Sequence, residues 1–230
     1  MKISVVIPTL DESARIVDTL GSVSGVAAGL DFASEIEVIV VDGGSRDETG
    51  RLAREAGARV LESERGRARQ LRMGAERSTG DVILFLHADT RLPPGWVQDM
   101  CRVLSDPGCT GGAFTFGFAE RGARERWIEW WVALRVAAFG LPYGDQALFM
   151  RRTVLEEMGG VPIVPIMEDL DLVRGIKRAG RLRMLPLVAE TSSRRYAERG
   201  GLRTVFQHGI ALLGWTLGWD RERLAEWMGR

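Results

Sequence analysis

The sequence predicts an α/β fold, a Rossmann-like and mostly parallel sheet with helices on both faces. Three observations carry this. Short β-branched apolar runs alternate with helix-length segments; the runs are apolar at consecutive rather than alternate positions; polar residues gather just after them. "ISVVIPTL" and "EIEVIVVDGGS" are the first two runs, and a helical segment from Glu12 to Ala28 lies between them. A helix over Arg46 to Ala56 follows, begun by Ser45 or Asp47 and stopped at Gly57, and then "ARVLES" reads as a strand. Arg67 to Arg77 is the next helix and "DVILFLHA" the next strand.

After Pro93-Pro94 a helix runs to about Leu104, and "TGGAFTFGF" is a strand whose glycines permit a bend. "ERWIEWWVALRVAAF" is helical, "QALFMRR" a strand, "DLDLVRGIKRAG" a helix ending at Gly180, and "RLRMLP" closes the sheet. Two amphipathic C-terminal helices follow Gly200, split near Trp219-Asp220. With no repeat or long linker, residues 1–230 read as one domain. Residues 1–110 are expected to form a nucleotide-binding half, 111–200 an acceptor-facing half, and 201–230 the terminal helices.

Composition narrows the function. Thirty-one basic and 31 acidic side chains give zero net charge, so no general field draws in nucleic acid. Two cysteines, Cys101 and Cys109, make neither a disulfide framework nor a zinc site, and suggest a reducing cytoplasm. The opening "MKISVVIPTLDES" reads as a strand rather than an export signal. "TVFQHGIALLGWTLGW" is shorter than the roughly 20 residues of a spanning helix, which leaves contact with the inner membrane surface as the alternative to a purely cytoplasmic life.

Ligands of an open α/β sheet bind beyond the carboxyl ends of its strands. Three strands end in suitable residues: Pro8-Thr9-Leu10-Asp11-Glu12, Asp42-Gly43-Gly44-Ser45 and His87-Ala88-Asp89. Asp42 suits a base imide or ribose hydroxyl, Gly43-Gly44 admits a ligand close to the backbone, and Arg67 offers a guanidinium to a base or phosphate. The plainer alternatives are helix capping for Asp11, Ser45 and Asp47, and a solvated helix face for the arginines. Six of the seven tryptophans, Trp127, Trp130, Trp131, Trp215, Trp219 and Trp227, are expected mainly in core packing, with sugar stacking or an interfacial belt as alternatives.

Taken in order, "VVIPTLDES", "VIVVDGGSRDET", "GDVILFLHADT", "GDQALFMRR" and "MEDLDL" resemble glycosyltransferase family 2, inverting nucleotide-sugar transferases of the GT-A fold. The likeness spans most of residues 2 to 200 and is closest to a small bacterial subgroup with undefined acceptors. It implies a nucleotide diphosphosugar donor, a UDP- or GDP-sugar with UDP preferred, held by Pro8, Thr9, Leu10, Glu12, Asp42, Gly43, Gly44, Arg67, His87 and Ala88. It implies a divalent cation, Mn²⁺ or Mg²⁺, on Asp89, with His87 as a second ligand or a ribose contact. Asp169 would be the base and Asp145 its reserve. Gln146 and Glu168 would line the sugar and acceptor pocket, and Arg194 and Arg195 would close over the diphosphate.

The acceptor, a hydroxyl or carboxyl compound, is left open and includes lipid-like molecules. His208 is expected as a core residue rather than a metal ligand. Two departures from the family pattern stand out: the acidic pair after the second strand is Asp42-Gly43, and the first acid of D-x-D is His87. They leave a non-catalytic nucleotide-sugar binder as the rival reading. A dehydrogenase is excluded because "IPTLDESAR" has no glycine, and a P-loop enzyme because the chain has no G-x-x-x-x-G-K-[ST].

Overall fold

Side chains alternate across a strand, so a strand such as β1 (Ile3–Thr9), with apolar residues at consecutive positions from Val5 to Pro8, needs both its faces covered. They are. In the computed structural model, which describes residues 1–24, 36–194, 196 and 201–229, Ile3, Val5 and Ile7 pack in one core layer and Val6 in the other. The first layer lies under α1 (Ile16–Ser24), α2 (Thr49–Glu55) and α4 (Trp96–Leu104), which contribute Leu20, Ala53 and Met100. The second lies under α3 (Arg67–Glu76), α6 (Arg152–Glu157) and α7 (Glu168–Ala179), which contribute Leu71, Leu155 and Ile176.

The other strands are β2 (Ile36–Asp42), β3 (Arg59–Glu62), β4 (Val82–Phe85), β5 (Thr90–Arg91), β6 (Cys109–Phe118), β7 (Phe149–Arg151) and β8 (Arg181–Thr191). Among the described residues they form one eight-stranded sheet in the order β3-β2-β1-β4-β7-β6-β8-β5. The first four strands in that order are mutually parallel, β6 and β8 are parallel, and β7 and β5 run antiparallel to their neighbours. The expected GT-A architecture holds. The end of the helix expected over Glu12 to Ala28 falls outside the described residues; its described part is α1.

Three features differ from the sequence reading. β8 continues through Pro186 to Thr191, because it pairs along nearly all of β6 and pairing overrides a single proline. β5, two residues long, pairs Thr90 with Thr191, and α6 is a short added helix. A last pair of helices, α8 (Gly201–Leu217) and α9 (Arg221–Trp227), folds back onto the start of α7. Asp171 holds them there: it accepts hydrogen bonds from Trp215 Nε1 at 3.0 Å and from the Arg221 guanidinium.

α3 sits against β1 because residue 74 has no side chain. A Cβ on Gly74 would come within 2.3 Å of Val6 Cγ1 and 3.0 Å of Val41 Cγ2. We expect Gly74→Ala to destabilise the protein by about 1–2 kcal/mol, overpacking outweighing the gain of roughly 1 kcal/mol in helix propensity. Gly21→Ala, in α1 with nothing within 4 Å of its Cβ, should stabilise it by about 0.5 kcal/mol. Urea unfolding of both variants measures the contrast.

Candidate active site

The carboxyl ends of β1, β2 and β4 lie at one edge of the sheet, as their parallel register requires. The loops after β1 and β2 are tied to each other. Asp42 Oδ1 accepts from the Ser45 amide at 3.0 Å and from its hydroxyl at 2.6 Å; the Asp11 amide donates to Ser45 Oγ; and Asp11 Oδ1 accepts from the Arg46 amide. Asp11 takes a left-handed φ of 53° to do so, a conformation that aspartate tolerates. Asp47 takes hydrogen bonds from Ser13 and Thr49, which outweigh the cost of its burial and lower its pKa to about 2.

Gln70, which the sequence reading left without a role, fastens this edge from below. Its Nε2 donates to the Thr9 and Val41 carbonyls, both at 2.8 Å, and its amide packs on Gly43, where a Cβ would meet it at 3.0 Å. Gly43 is thus required for packing, whereas Gly44, with φ of 88° and open space beside it, leaves the backbone accessible. Thr9 is 2% exposed and Ala88 belongs to the core, so neither offers a side chain to a ligand. Pro8 and Leu10 remain half-buried beside Thr9.

Where β4 ends, the chain bends into His87-Ala88-Asp89 and faces the start of α7 across a hollow. Its lining includes Arg67, His87, Asp89, Tyr143, Asp145 and Asp169. Met167, with φ of 65°, turns the chain so that Glu168 and Asp169 open α7, where the helix dipole favours their negative charge. Glu168 is 1% exposed and pairs with Arg67 Nε; Arg67 Nη2 lies 3.7 Å from Asp169 Oδ2, and Nη1 lies 3.4 Å from His87 Nε2. Burial works against the Arg67 charge, but Glu168 and Asp169, with Asp145, raise its pKa above the ordinary arginine value.

Asp169 is held by the main chain: Oδ2 accepts from the Gly144 amide at 2.8 Å and Oδ1 from Leu170 at 2.9 Å. Residue 144 must be glycine-sized, since a Cβ would lie 3.1 Å from His87 Nε2 and 3.3 Å from Asp169 Oδ2. Burial pushes the Tyr143 phenol above its usual pKa despite the Arg135 guanidinium 3.3 Å from its ring centre. The enclosed part of the hollow is about 90 Å³, room for reacting groups rather than for a nucleoside. Tyr143, Tyr196, Ser192 and Gln207 also line it; only the segments "LPYGDQ" and "TSSRRY" hinted at any of them.

Several expected residues are placed differently. Gln146 does not line the hollow: its amide accepts from Tyr143 N and donates to the Phe114 carbonyl, so it braces the turn that carries Tyr143 and Asp145. Glu168 is sealed beneath Arg67 rather than presented to a sugar. Glu12 and Arg194 meet each other at 3.0 Å, joining the chain after β8 to the chain after β1. Arg195 lies outside the described residues. His208 lines the hollow, with Tyr143 and Tyr196 edge-on to its ring, rather than sitting in a closed core. Of the six tryptophans only Trp215 is buried; the other five are at least 39% exposed, which overturns core packing as their role.

No three His, Cys, Asp or Glu side chains among the described residues form a closed metal cage. The donor chemistry nevertheless suits a hard divalent cation that takes most of its shell from phosphate and water: Asp89, at the strand end, offers carboxylate oxygen to the hollow that Asp145 and Asp169 also line. His87 Nε2 already faces the Arg67 cation, which opposes its holding a metal through the same nitrogen.

The profile of glycosyl transferase family 2 matches residues 4–157. This chain belongs to that family. It is 33% identical over 100 residues to the undecaprenyl-phosphate 4-deoxy-4-formamido-L-arabinose transferase of Pseudomonas aeruginosa, covering 40% of this chain and 29% of the relative. It is 34% identical over 96 residues to the glucosyl-3-phosphoglycerate synthase of Mycobacterium tuberculosis, covering 38% and 28%. The chain thus matches less than a third of the length of these curated relatives. The crystal structure of the latter synthase with phosphoglyceric acid superposes with a TM-score of 0.69 at 24% identity, over 95% of this chain and 81% of that one. Its complex with Mn²⁺, UDP and glucosyl-3-phosphoglycerate gives 0.67 at 23%, over 95% and 81%. Both likenesses bear on the fold.

Arg67→Ala would strand the buried Glu168 carboxylate, and we expect a loss of about 3 kcal/mol in urea unfolding. Adding Glu168→Gln should recover about half of that loss or more.

Proposed function

We propose that this family 2 protein is an inverting glycosyltransferase that moves a sugar from a nucleotide diphosphosugar, preferably a UDP-sugar, to an oxygen nucleophile. The supporting observation is that His87-Ala88-Asp89 and the Arg67–Asp169 pair face each other across one hollow at the carboxyl ends of the sheet. The nucleoside is assigned to the edge outside the hollow, with its base towards Asp42 and its ribose near Thr9-Leu10 and the Gly44 backbone. The diphosphate then falls at Asp89, and the sugar between Asp89 and Asp169.

Asp89 would hold Mn²⁺ or Mg²⁺, which neutralises charge on the departing diphosphate. Asp169 takes the proton of the acceptor hydroxyl as its oxygen forms the new bond to the anomeric carbon and the bond to the diphosphate breaks. Each Asp169 oxygen accepts one main-chain N–H, which fixes its direction and leaves lone pairs for the acceptor. Arg67 Nη2 lies beside that carboxylate, and Tyr143 supplies a neutral hydroxyl to the wall. Asp145, in the same hollow, is the second candidate base.

No helix among the described residues is long and apolar enough to cross a membrane. A cytoplasmic protein that meets an acceptor at the inner membrane surface is consistent with the exposed tryptophans of α5 (Ala123–Phe139) and the terminal helices.

Asp89→Ala should abolish Mn²⁺-dependent binding of UDP in calorimetry. Asp169→Asn should leave UDP binding intact while slowing sugar release or transfer by about 10²–10⁴-fold. If Asp145→Asn shows that loss and Asp169→Asn does not, the roles are exchanged. Binding of the nucleotide sugar with no metal-dependent release of its nucleoside diphosphate by the wild-type protein would favour a role without catalysis.

A further inference from the structure

The helix α5 is anomalous for a seventeen-residue helix on a folded surface: Ile128 is its one fully buried residue, while Trp127, Trp130, Trp131, Leu134 and Phe139 stand 39–63% exposed. α8, which packs beside it, also exposes Phe206, Leu213 and Leu217. Between the two helices runs a groove of about 500 Å³, lined by apolar side chains such as Trp131, Leu134, Phe139, Val205 and Leu212. That volume is within the range of small-molecule sites, and the lining is far less polar than that of the hollow.

The inner end of the groove identifies its occupant. Tyr143, Tyr196 and His208 line both the groove and the hollow, so the two spaces share one wall. At that wall stands Arg135, the one arginine, lysine or carboxylate side chain lining the groove among the described residues. Its guanidinium is stacked on Tyr143 and its Nη2 donates to Gln146 Oε1 at 3.4 Å, while its Nε is buried and makes no hydrogen bond among the described residues. A cation at the wall that the apolar trough shares with the hollow fits an amphiphile: chain along the helices, anionic head at Arg135, nucleophilic oxygen directed into the hollow. The exposed tryptophans beside the mouth are the side chains that settle at a membrane–water boundary, from which such a molecule would enter.

We propose that the groove between α5 and α8 is the binding site for the hydrocarbon chain of a single-tailed acceptor with an anionic head group. This rests on the glycosyltransferase reading for the role of the head, but the site itself can be tested without donor or turnover.

The probe is dodecyl phosphate below its micelle concentration, titrated by tryptophan fluorescence. We expect saturable binding that strengthens about fourfold per methylene from octyl to dodecyl phosphate, as burial of the chain requires. Gly209 lines the groove and has nothing within 4 Å of its Cβ, so Gly209→Phe fills the trough without crowding the core. It should weaken dodecyl phosphate about tenfold or more while leaving binding of UDP with Mn²⁺ unchanged. Dodecyltrimethylammonium should bind at least about tenfold more weakly than the phosphate. Absent binding, no dependence on chain length, equal affinity in Gly209→Phe, or no preference between the two heads would each overturn the proposal. If the phosphate binds as expected but UDP with Mn²⁺ does not, the groove stands and the transferase reading fails; the reverse result removes the groove alone.

Discussion

Everything at the site depends on one electrostatic constraint: a carboxylate sealed from water needs a cation beside it. Glu168, 1% exposed, has Arg67, and that pair fixes the start of α7 to the start of α3. A buried pair adds little net stability, because desolvation offsets most of the attraction, but it is costly to break and therefore sets geometry. Here it sets the distance between the two halves of the sheet edge. The same guanidinium also reaches Asp169 and His87, so one side chain orders the residues on both walls of the hollow.

The surrounding packing serves that placement. Gly74 lets α3 lie on β1, Gln70 fastens the ends of β1 and β2 from the same helix, and the Met167 backbone turns Asp169 towards Gly144. Asp171, one turn further along α7, anchors α8 and α9. The terminal helices close one side of the hollow through Thr204, Gln207, His208 and Met228, and form one bank of the apolar groove. Site and groove are therefore parts of one construction, ordered from the same helix.

The first four strands and their helices were legible in the sequence because continuous apolar runs have few other solutions. The strand ends followed, since parallel register carries them to one edge. What the sequence could not show depends on partners far along the chain. β5 exists because Thr90 meets Thr191, Glu12 is occupied because Arg194 reaches it, and Gln146 turns inward because Phe114 offers a carbonyl. The tryptophans misled for a different reason. Aromatic residues at helical spacing have the same pattern whether they face a core or an apolar groove, and only the position of α5 over the end of β6 distinguishes the two.

The central claim is that the hollow between Asp89 and Asp169 receives a cation and the diphosphate of the donor. An anomalous-difference map from crystals grown with Mn²⁺ and UDP tests it most directly. The account predicts one strong peak within bonding distance of an Asp89 oxygen, on the Asp169 side of the β4 end, with phosphate density against it. A metal peak elsewhere, or UDP bound with Asp89 turned away from it, would contradict the account.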